Sequence, residues 1–245
     1  MKQTEIIMGM PITIEIADHD TQKSLSESFD YFRKIDNRFS TYKPKSEISQ
    51  INRGLPEEKW SHEMQTVMKL CEETKQQSNG YFDISHNGKL DPSGLVKGWA
   101  IAGAAKNLRL RGFKNFSIEA GGDIQTNGGS ASGKPWRIGI RNPFHIDKII
   151  KVIELSGGAV ATSGTSIRGA HIYNPHQPDR QILEIKSLTV VGENIYDADR
   201  FATAAFAMGK NGIHFIESLP GFEGYQVDAN GIATFTTHFE KYVSF

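Results

Sequence analysis

The sequence lacks the features that mark several large classes of protein. Its 245 residues include a single cysteine, Cys71, which excludes an intrachain disulfide and a thiolate zinc site. Because 28 Lys and Arg residues balance 28 Asp and Glu residues, we expect no nucleic-acid partner. No apolar run approaches the ~18 residues of a membrane span, and the start lacks the apolar core of a secretory signal. The chain as written is therefore predicted to be cytoplasmic and without a transmembrane segment, whereas an exported or membrane-anchored form is expected if an N-terminal signal has been removed.

Common catalytic motifs are absent as well. There is no GxGxxG after a strand, no GxxxxGK[ST] loop, no HExxH and no GxSxG. Dinucleotide-binding folds, P-loop enzymes, zincins and α/β-hydrolases are therefore disfavoured. Because no cysteine and histidine cluster is present, we expect any bound metal to be a hard cation held by oxygen atoms.

The hydropathy pattern predicts a folded chain with helices and strands. Hydrophobic residues make up 38% of the sequence and charged residues 23%, which is ordinary for globular proteins. Apolar residues that alternate predict strands, and apolar residues three or four apart predict helices. The predicted strands cover residues 12–16, 116–119, 136–141, 149–155, 159–162 and 188–191; the predicted helices cover 24–39, 61–80, 95–110, 197–209 and 213–219; and a hairpin with a primed turn at Asn230-Gly231 covers 225–237.

This order of elements predicts an α+β fold with mixed, mainly antiparallel sheets and packed helices, because strands and helices interleave without regular βαβ spacing. No repeat, linker or composition break divides residues 1–245, so we predict a single domain. Within it, a helix-rich lobe over residues 1–110 is expected to pack closely against a strand-rich lobe over residues 111–245.

Glycine-rich turns hold most of the polar residues that could carry chemistry. The segment from Asp91 to Gly98 opens a predicted helix and contains Gly94 and Lys97. Free N–H groups at a helix start, together with a lysine, suit an anionic phosphate. The same pattern also fits a capped helix with a surface lysine, so the sequence leaves both interpretations open.

Further along the chain, Asp199 and Thr203 lie four residues apart on a predicted helix. Their oxygen atoms could reach one hard cation, although Asp197 or Asp199 could instead cap the helix. His171 follows a strand that ends in hydroxyl residues, and it is either a candidate general base or a structural histidine. The glycine pair before Asp123 permits close approach of a ligand or simply a tight turn.

Taken together, the order of these segments resembles the ApbE-like FAD:protein FMN transferase family. The resemblance covers residues 8 to 209 and rests on Met8-Gly9, Arg38-Phe-Ser-Thr-Tyr42, Tyr81-Phe-Asp83, Asp91…Gly94…Lys97-Gly98, Gly121-Gly122-Asp123, Ala161-Thr-Ser-Gly164, His171…Pro175 and Asp199…Thr203. It implies an enzyme that splits FAD at its pyrophosphate with the help of Mg²⁺. The FMN half is then attached to a Thr or Ser hydroxyl of an acceptor flavoprotein, and AMP is released.

The resemblance also implies roles for individual residues. It makes His171 the catalytic base and assigns the magnesium ligands to the carbonyl of Gly94 and the side chains of Asp199 and Thr203. It places the flavin site in the cleft between the two lobes, with FAD contacts at Met8, Tyr42, Tyr81, Phe82, Asp83, Asp91, Lys97 and Ile172. The sequence departs from the family pattern at Pro92, which removes one N–H from the phosphate-facing turn, at Tyr173-Asn174, and at Ala202.

Other functions remain open from the sequence. In an FAD pyrophosphatase, water would replace the protein hydroxyl, and FMN and AMP would both be released. A flavin-binding module would hold FAD without cutting it, and a glycine-rich scaffold would bind no small molecule. The FMN transferase and the FAD pyrophosphatase would use the same site residues. The sequence therefore does not separate transfer from hydrolysis.

Overall fold

Strands and helices alternate along the chain in blocks of unequal length. A computed structural model describes residues 1–19, 21–165, 169 and 172–244. The strands are β1 (Lys2–Ile7), β2 (Met10–Ile16), β3 (Ser85–His86), β4 (Lys89–Leu90), β5 (Phe116–Ala120), β6 (Asp123–Asn127), β7 (Trp136–Arg141), β8 (Ile149–Leu155), β9 (Gly157–Gly164), β10 (Ile185–Gly192), β11 (Glu223–Asp228) and β12 (Ala233–Phe235). The α-helices are α1 (Gln22–Phe39), α2 (Glu47–Ile51), α3 (His62–Gln77), α4 (Ser93–Leu110), α5 (Ile195–Ala207) and α6 (Gly212–Ser218).

Eight of these strands form one antiparallel sheet in the order β1-β2-β5-β6-β9-β10-β11-β12. Two hairpins, β3–β4 and β7–β8, form separate two-stranded sheets. The predicted α+β class with mainly antiparallel sheets is therefore confirmed. The large sheet takes strands from both sides of residue 110, and the boundary between the two predicted lobes stays a prediction.

The large sheet is covered on both faces. On one face, α1, α4 and α5 pack their apolar sides against the strands, in a cluster that includes the fully buried Phe29, Ile101 and Phe206. On the other face, the β7–β8 hairpin packs Ile138 and Ile153 against residues of β9, β10 and β11. Because both faces of the sheet are covered, seven of the eight residues of β10 are buried.

Local signals fix several helix ends. Ser61 caps α3, because its hydroxyl accepts a hydrogen bond from the N–H of Met64 at 3.2 Å. At α5 the cap is Asn194, whose side chain accepts from the N–H of Asp197 at 3.0 Å. The alternative in which Asp197 or Asp199 caps this helix is therefore wrong. No helix in the described ranges is long and apolar enough to cross a membrane.

The turn of the β11–β12 hairpin differs from the prediction. Both types of primed turn require positive φ at the first central residue, but Asn230 does not lie in the positive region, whereas Gly231 has φ +81°. Instead the Asp228 carboxylate accepts hydrogen bonds from the N–H groups of Asn230 and Ile232, both at 2.8 Å. The aspartate side chain therefore stabilises a longer loop that closes on Gly231.

Candidate active site

A cleft of about 1490 Å³ lies between the α3–α4 connection, the start of α4 and the β7–β8 hairpin. This volume exceeds the roughly 300–1,000 Å³ of a common small-molecule pocket. The structure brings most of the predicted site residues to this cleft. Those that line it are Tyr42, Tyr81, Phe82, Asp83, Asp91, Gly94, Lys97, Ile172, Asp199 and Thr203.

Two predicted site residues do not have a described place in the cleft. Met8 lies in the turn between β1 and β2, has φ 55°, and packs partly buried against the larger hydrophobic cluster; it does not line the cleft. His171, the predicted catalytic base, lies outside the described residues. Its neighbour Ile172 lines the cleft.

The position of Asp199 depends on the close approach of α4 and α5. The N–H of Gly98 on α4 donates a hydrogen bond to Asp199 Oδ2 on α5 at 2.7 Å. A Cβ atom at residue 98 would lie 2.7 Å from the Cβ of Asp199 and 2.8 Å from the carbonyl oxygen of Ile195. Glycine is therefore required at residue 98 for the two helices to meet at this distance.

Asp199 belongs to a buried group of charges. Lys97 Nζ lies 3.3 Å from Asp199 Oδ1 and also forms an ion pair with Asp123 Oδ2. Asp123 is 1% exposed, and its second oxygen accepts from the N–H of Thr162 at 3.1 Å. Burial raises the pKa of Asp199, the Lys97 ammonium opposes this rise, and the Asp123 carboxylate adds to it. Two carboxylates with one ammonium form a place where a further cation would be stabilised.

The predicted metal ligands fit a hard cation. Thr203 Oγ1 lies 3.4 Å from the carbonyl oxygen of Gly94, and neighbouring oxygen ligands around Mg²⁺ lie about 3 Å apart at ~2.1 Å from the ion. With Asp199, the donors are one carbonyl, one hydroxyl and one carboxylate. Across the described ranges there is no group of three or more His, Cys, Asp or Glu residues placed to hold a metal. A cation bound here would therefore take its remaining ligands from water or from a phosphate, as Mg²⁺ commonly does.

The segment after His171 is tied to the α3–α4 connection. The hydroxyl of Tyr173 donates to the carbonyl oxygens of Asp83 at 2.8 Å and Ser85 at 3.1 Å. Burial raises the pKa of Tyr173 to about 12, and the carboxylates of Asp83 and Asp91 add to the rise. The phenol therefore stays protonated and able to donate at neutral pH. These contacts hold two walls of the cleft together across 90 residues of sequence.

Two further residues shape the site and are not among the predicted site residues. The sequence indicates Asp123 only as the end of a glycine turn, although a carboxylate directly after paired glycines at a strand start is a signal that identifies it. The side-chain amide of Asn52 forms two hydrogen bonds with the backbone of Leu90: its Nδ2 donates to the carbonyl at 2.9 Å, and its Oδ1 accepts from the N–H at 2.8 Å. It therefore fixes β4 beside the cleft, and no sequence pattern indicates this role.

The fold and the site define a chain with a nucleotide-sized cleft and a group of oxygen atoms that could hold a hard cation. The model of the ApbE family matches residues 8–88 and 85–226. The chain therefore belongs to the ApbE family, which confirms the resemblance seen in the sequence.

Relatives and solved structures agree with this membership. The chain is 32% identical over 130 residues to the FAD:protein FMN transferase of Vibrio cholerae serotype O1, which covers 49% of this chain and 39% of that protein. It is 25% identical over 245 residues to the FAD:protein FMN transferase of Chlamydia muridarum, covering 75% of this chain and 74% of that protein. Its match spans about two fifths of the length of the relatives from Vibrio cholerae and Haemophilus influenzae, at 39% and 38%.

Two solved structures share the fold at low sequence identity. The ApbE protein of Thermotoga maritima superposes with a TM-score of 0.87 at 21% identity, over 100% of this chain and 99% of that one. The flavin transferase ApbE of Vibrio cholerae gives a TM-score of 0.83 at 22% identity, over 99% and 98% of the two chains. The whole described architecture is thus that of ApbE proteins.

Proposed function

We propose that this protein is an Mg²⁺-dependent FAD:protein FMN transferase, which attaches FMN to a Thr or Ser hydroxyl of an acceptor flavoprotein and releases AMP. The observation that carries the proposal is the set of oxygens from Gly94, Asp199 and Thr203 beside Lys97, at one end of a cleft large enough for FAD. The chain's relatives named as FAD:protein FMN transferases support it.

The proposed reaction moves one phosphoryl group. The acceptor hydroxyl oxygen forms a bond to the phosphorus on the riboflavin side of FAD, and the bond from that phosphorus to the bridging oxygen breaks. AMP leaves with the bridging oxygen and its electron pair, and the hydroxyl proton passes to a general base, for which His171 is the predicted residue. A positioned base commonly contributes about 10²–10⁴-fold.

The residues that line the cleft have distinct proposed tasks. Gly94, Asp199 and Thr203 would hold Mg²⁺, which when bound supplies positive charge to the pyrophosphate oxygens. Lys97 adds a second cation at the same place. The aromatic side chains of Tyr81 and Phe82 offer apolar surface to the planar rings of FAD, while Tyr42 is 95% exposed and is proposed to contact FAD from the mouth of the cleft.

The test is an assay of acceptor labelling. The protein is incubated with FAD, MgCl₂ and several flavoproteins that expose a Thr or Ser. The mass of each acceptor is then measured by intact-protein mass spectrometry, and the AMP released is measured by chromatography. We expect an acceptor to gain the mass of FMN less one water, with one AMP released per label. If none of the acceptors gains this mass, the transferase proposal fails.

The same assay without an acceptor distinguishes the other functions. Rapid release of FMN and AMP over many turnovers identifies an FAD pyrophosphatase. Binding of FAD without any cleavage identifies a flavin-binding module, and the absence of FAD binding identifies a scaffold. A transferase is expected to cleave FAD slowly unless an acceptor hydroxyl is present.

A further inference from the structure

The β7–β8 hairpin forms a wall of the cleft that carries none of the proposed FAD or metal contacts. Residues 137–141 of β7 all line the cleft. Their side chains alternate, because Ile138 and Ile140 are buried in the smaller hydrophobic cluster while Arg137 and Arg141 are exposed. Consecutive side chains of a strand point to opposite faces, so a cleft on one face would be lined by alternate residues only. Because all five consecutive residues line this cleft, it runs along the edge of the strand.

This edge of β7 has no partner strand among the described residues. β7 pairs with β8 and with no other strand there, and residues 136–141 form no further backbone hydrogen bonds within those ranges. The opposite edge of the hairpin is covered, because the N–H of Ser244 donates to the carbonyl of Val152 at 3.0 Å and Val243 forms a bridge with Ile153. An open strand edge presents unpaired N–H and C=O groups to which an extended peptide can add.

The wall is also positively charged in a chain that is neutral overall. Residues 134–155 contain five Lys and Arg residues and two carboxylates, whereas the whole chain has 28 of each sign. Arg137 lies 3.5 Å from Glu154 but keeps 67% of its side chain exposed. Beyond Arg141 the hairpin exposes Phe144 and Ile149, at 45% and 51%. Charge complementarity therefore favours an acidic segment that also carries apolar side chains.

We propose that β7 is the docking edge for the acceptor flavoprotein, which adds an extended acidic segment as a third strand of the β7–β8 sheet. Its carboxylates lie opposite Arg137 and Arg141, and its Thr or Ser hydroxyl is presented to the end of the cleft that holds Asp199. The cleft volume of about 1490 Å³ exceeds the roughly 300–1,000 Å³ of a common small-molecule pocket. This inference rests on the proposed transferase function, because it identifies the part of the site that receives the second substrate.

Peptide binding tests the charge preference directly. The probe is a fluorescein-labelled ten-residue peptide with a central threonine and aspartates at alternate positions, and the reference peptide has lysines in place of the aspartates. Anisotropy is measured with the FAD-loaded protein. We expect the acidic peptide to bind about tenfold more tightly than the basic one, and Arg137→Gln with Arg141→Gln to remove this difference. Lys210→Gln, at an exposed lysine outside the cleft, is the matched control and keeps it.

Backbone methylation tests strand addition. Two versions of the acidic peptide carry N-methyl groups on alternate amides, one version on the odd residues and the other on the even residues. Only one edge of an added strand faces β7, so we expect one version to lose binding by at least about tenfold and the other to bind like the parent peptide. Equal binding by both versions, or loss of binding by both, overturns strand addition.

Kinetics with a folded acceptor separate this inference from the function on which it rests. In the double arginine variant we expect the KM for the acceptor to rise about tenfold while the KM for FAD stays as in the unchanged protein. A parallel rise in both values assigns the arginines to the nucleotide site and overturns the docking proposal, as does no change in either. If the unchanged protein transfers no FMN to any acceptor, the proposed function fails, and the assignment of this edge to an acceptor fails with it.

Discussion

At the scale of single residues, Asp199 is the side chain on which the candidate site most depends. One of its oxygens accepts a hydrogen bond from the N–H of Gly98, and the other faces Lys97. It is 3% exposed, and the charge it carries is therefore poorly screened by water. Its shape is matched by asparagine, but its charge is not.

Asp199→Asn tests this role of the charge. We expect MgCl₂ to raise the Tm of the unchanged protein and to leave the Tm of the variant unaltered, because a ligand stabilises only the state that binds it. FMN transfer is expected to fall by at least about 100-fold. The matched control is Asp30→Asn at an exposed surface carboxylate, which should keep both responses. If the variant still gained stability from MgCl₂, Asp199 would not be a ligand of the proposed metal site.

Cys71 provides a second prediction at this scale. Burial raises the pKa of its thiol from 9.0 to about 12, so the reactive thiolate is scarce in the folded protein. We expect Ellman's reagent at pH 8 to label no thiol until denaturant is added, and then one per chain. In the unfolded chain the thiol ionises first, so the contribution of Cys71 to stability falls as the pH rises from about 9 toward 12. Prompt labelling of the folded protein would contradict this burial.

At the scale of elements, the contact between α4 and α5 sets the position of the site. A Cβ at Gly98 meets a backbone oxygen at 2.8 Å, whereas a Cβ at Gly94 meets only the side chains of Thr203 at 3.2 Å and Phe82 at 3.3 Å. Side chains can shift more readily than a helix backbone.

Alanine at each glycine should therefore have a graded effect. We expect Gly98→Ala to lower the free energy of unfolding by roughly 1–3 kcal/mol and Gly94→Ala to lower it by less. Urea denaturation followed by circular dichroism measures both values. If the two variants were equally stable, the approach of the two helices would be looser than the structure shows.

Regular hydropathy made part of the fold predictable from the sequence. Strands β7 and β8 have the predicted bounds, and α1 and α4 begin within two residues of theirs, because their apolar side chains repeat with the period of the element. β6 was not predicted, since its buried side chains are polar: Gln125 donates to the carbonyl of Gly158 at 3.0 Å and accepts from the N–H of Ile195 at 2.9 Å. A hydropathy pattern does not indicate a strand whose buried side chains are polar and are stabilised there by hydrogen bonds. The five-residue α2 is too short to show a helical period.

The site was predictable in its chemistry but not in its contacts. The resemblance to a family supplied the residues Gly94, Asp199 and Thr203, and the cleft holds all three. The ion pair of Asp123 with Lys97 joins residues from α4 and β6. Such pairs depend on the register and packing of elements that are distant in sequence, and local patterns carry no information about them.

At the scale of the whole molecule, the large sheet is packed between a helical layer and the β7–β8 hairpin. Phe239, which is fully buried, joins the hairpin to β11 through contact with Tyr225. The helical layer lies on the opposite face, and Phe239 belongs to the smaller cluster and not to the larger one. Loosening the smaller cluster should therefore leave the larger one in place.

Phe239→Ala tests the independence of the two clusters. We expect a loss of about 3–5 kcal/mol in the free energy of unfolding and faster amide hydrogen exchange in β7, β8 and β11, with little change in α1 and β2. Phe235→Ala, at a ring that is 43% exposed, is the control and should cost less. Acceleration of exchange throughout the molecule would show that both clusters open together.

The spread of the cleft along the sequence also bears on synthesis. Its lining begins near Thr41 and is complete only at Thr203, and the Tyr173 hydroxyl closes one wall across 90 residues. Synthesis proceeds from the N-terminal end and a domain generally folds as a unit, so an emerging chain has no finished cleft until α5 has left the exit tunnel. A ligand of this cleft, such as the proposed FAD, therefore cannot guide the early stages of folding. Retention of FAD by nascent chains, captured at successive lengths, should appear abruptly once α5 is exposed.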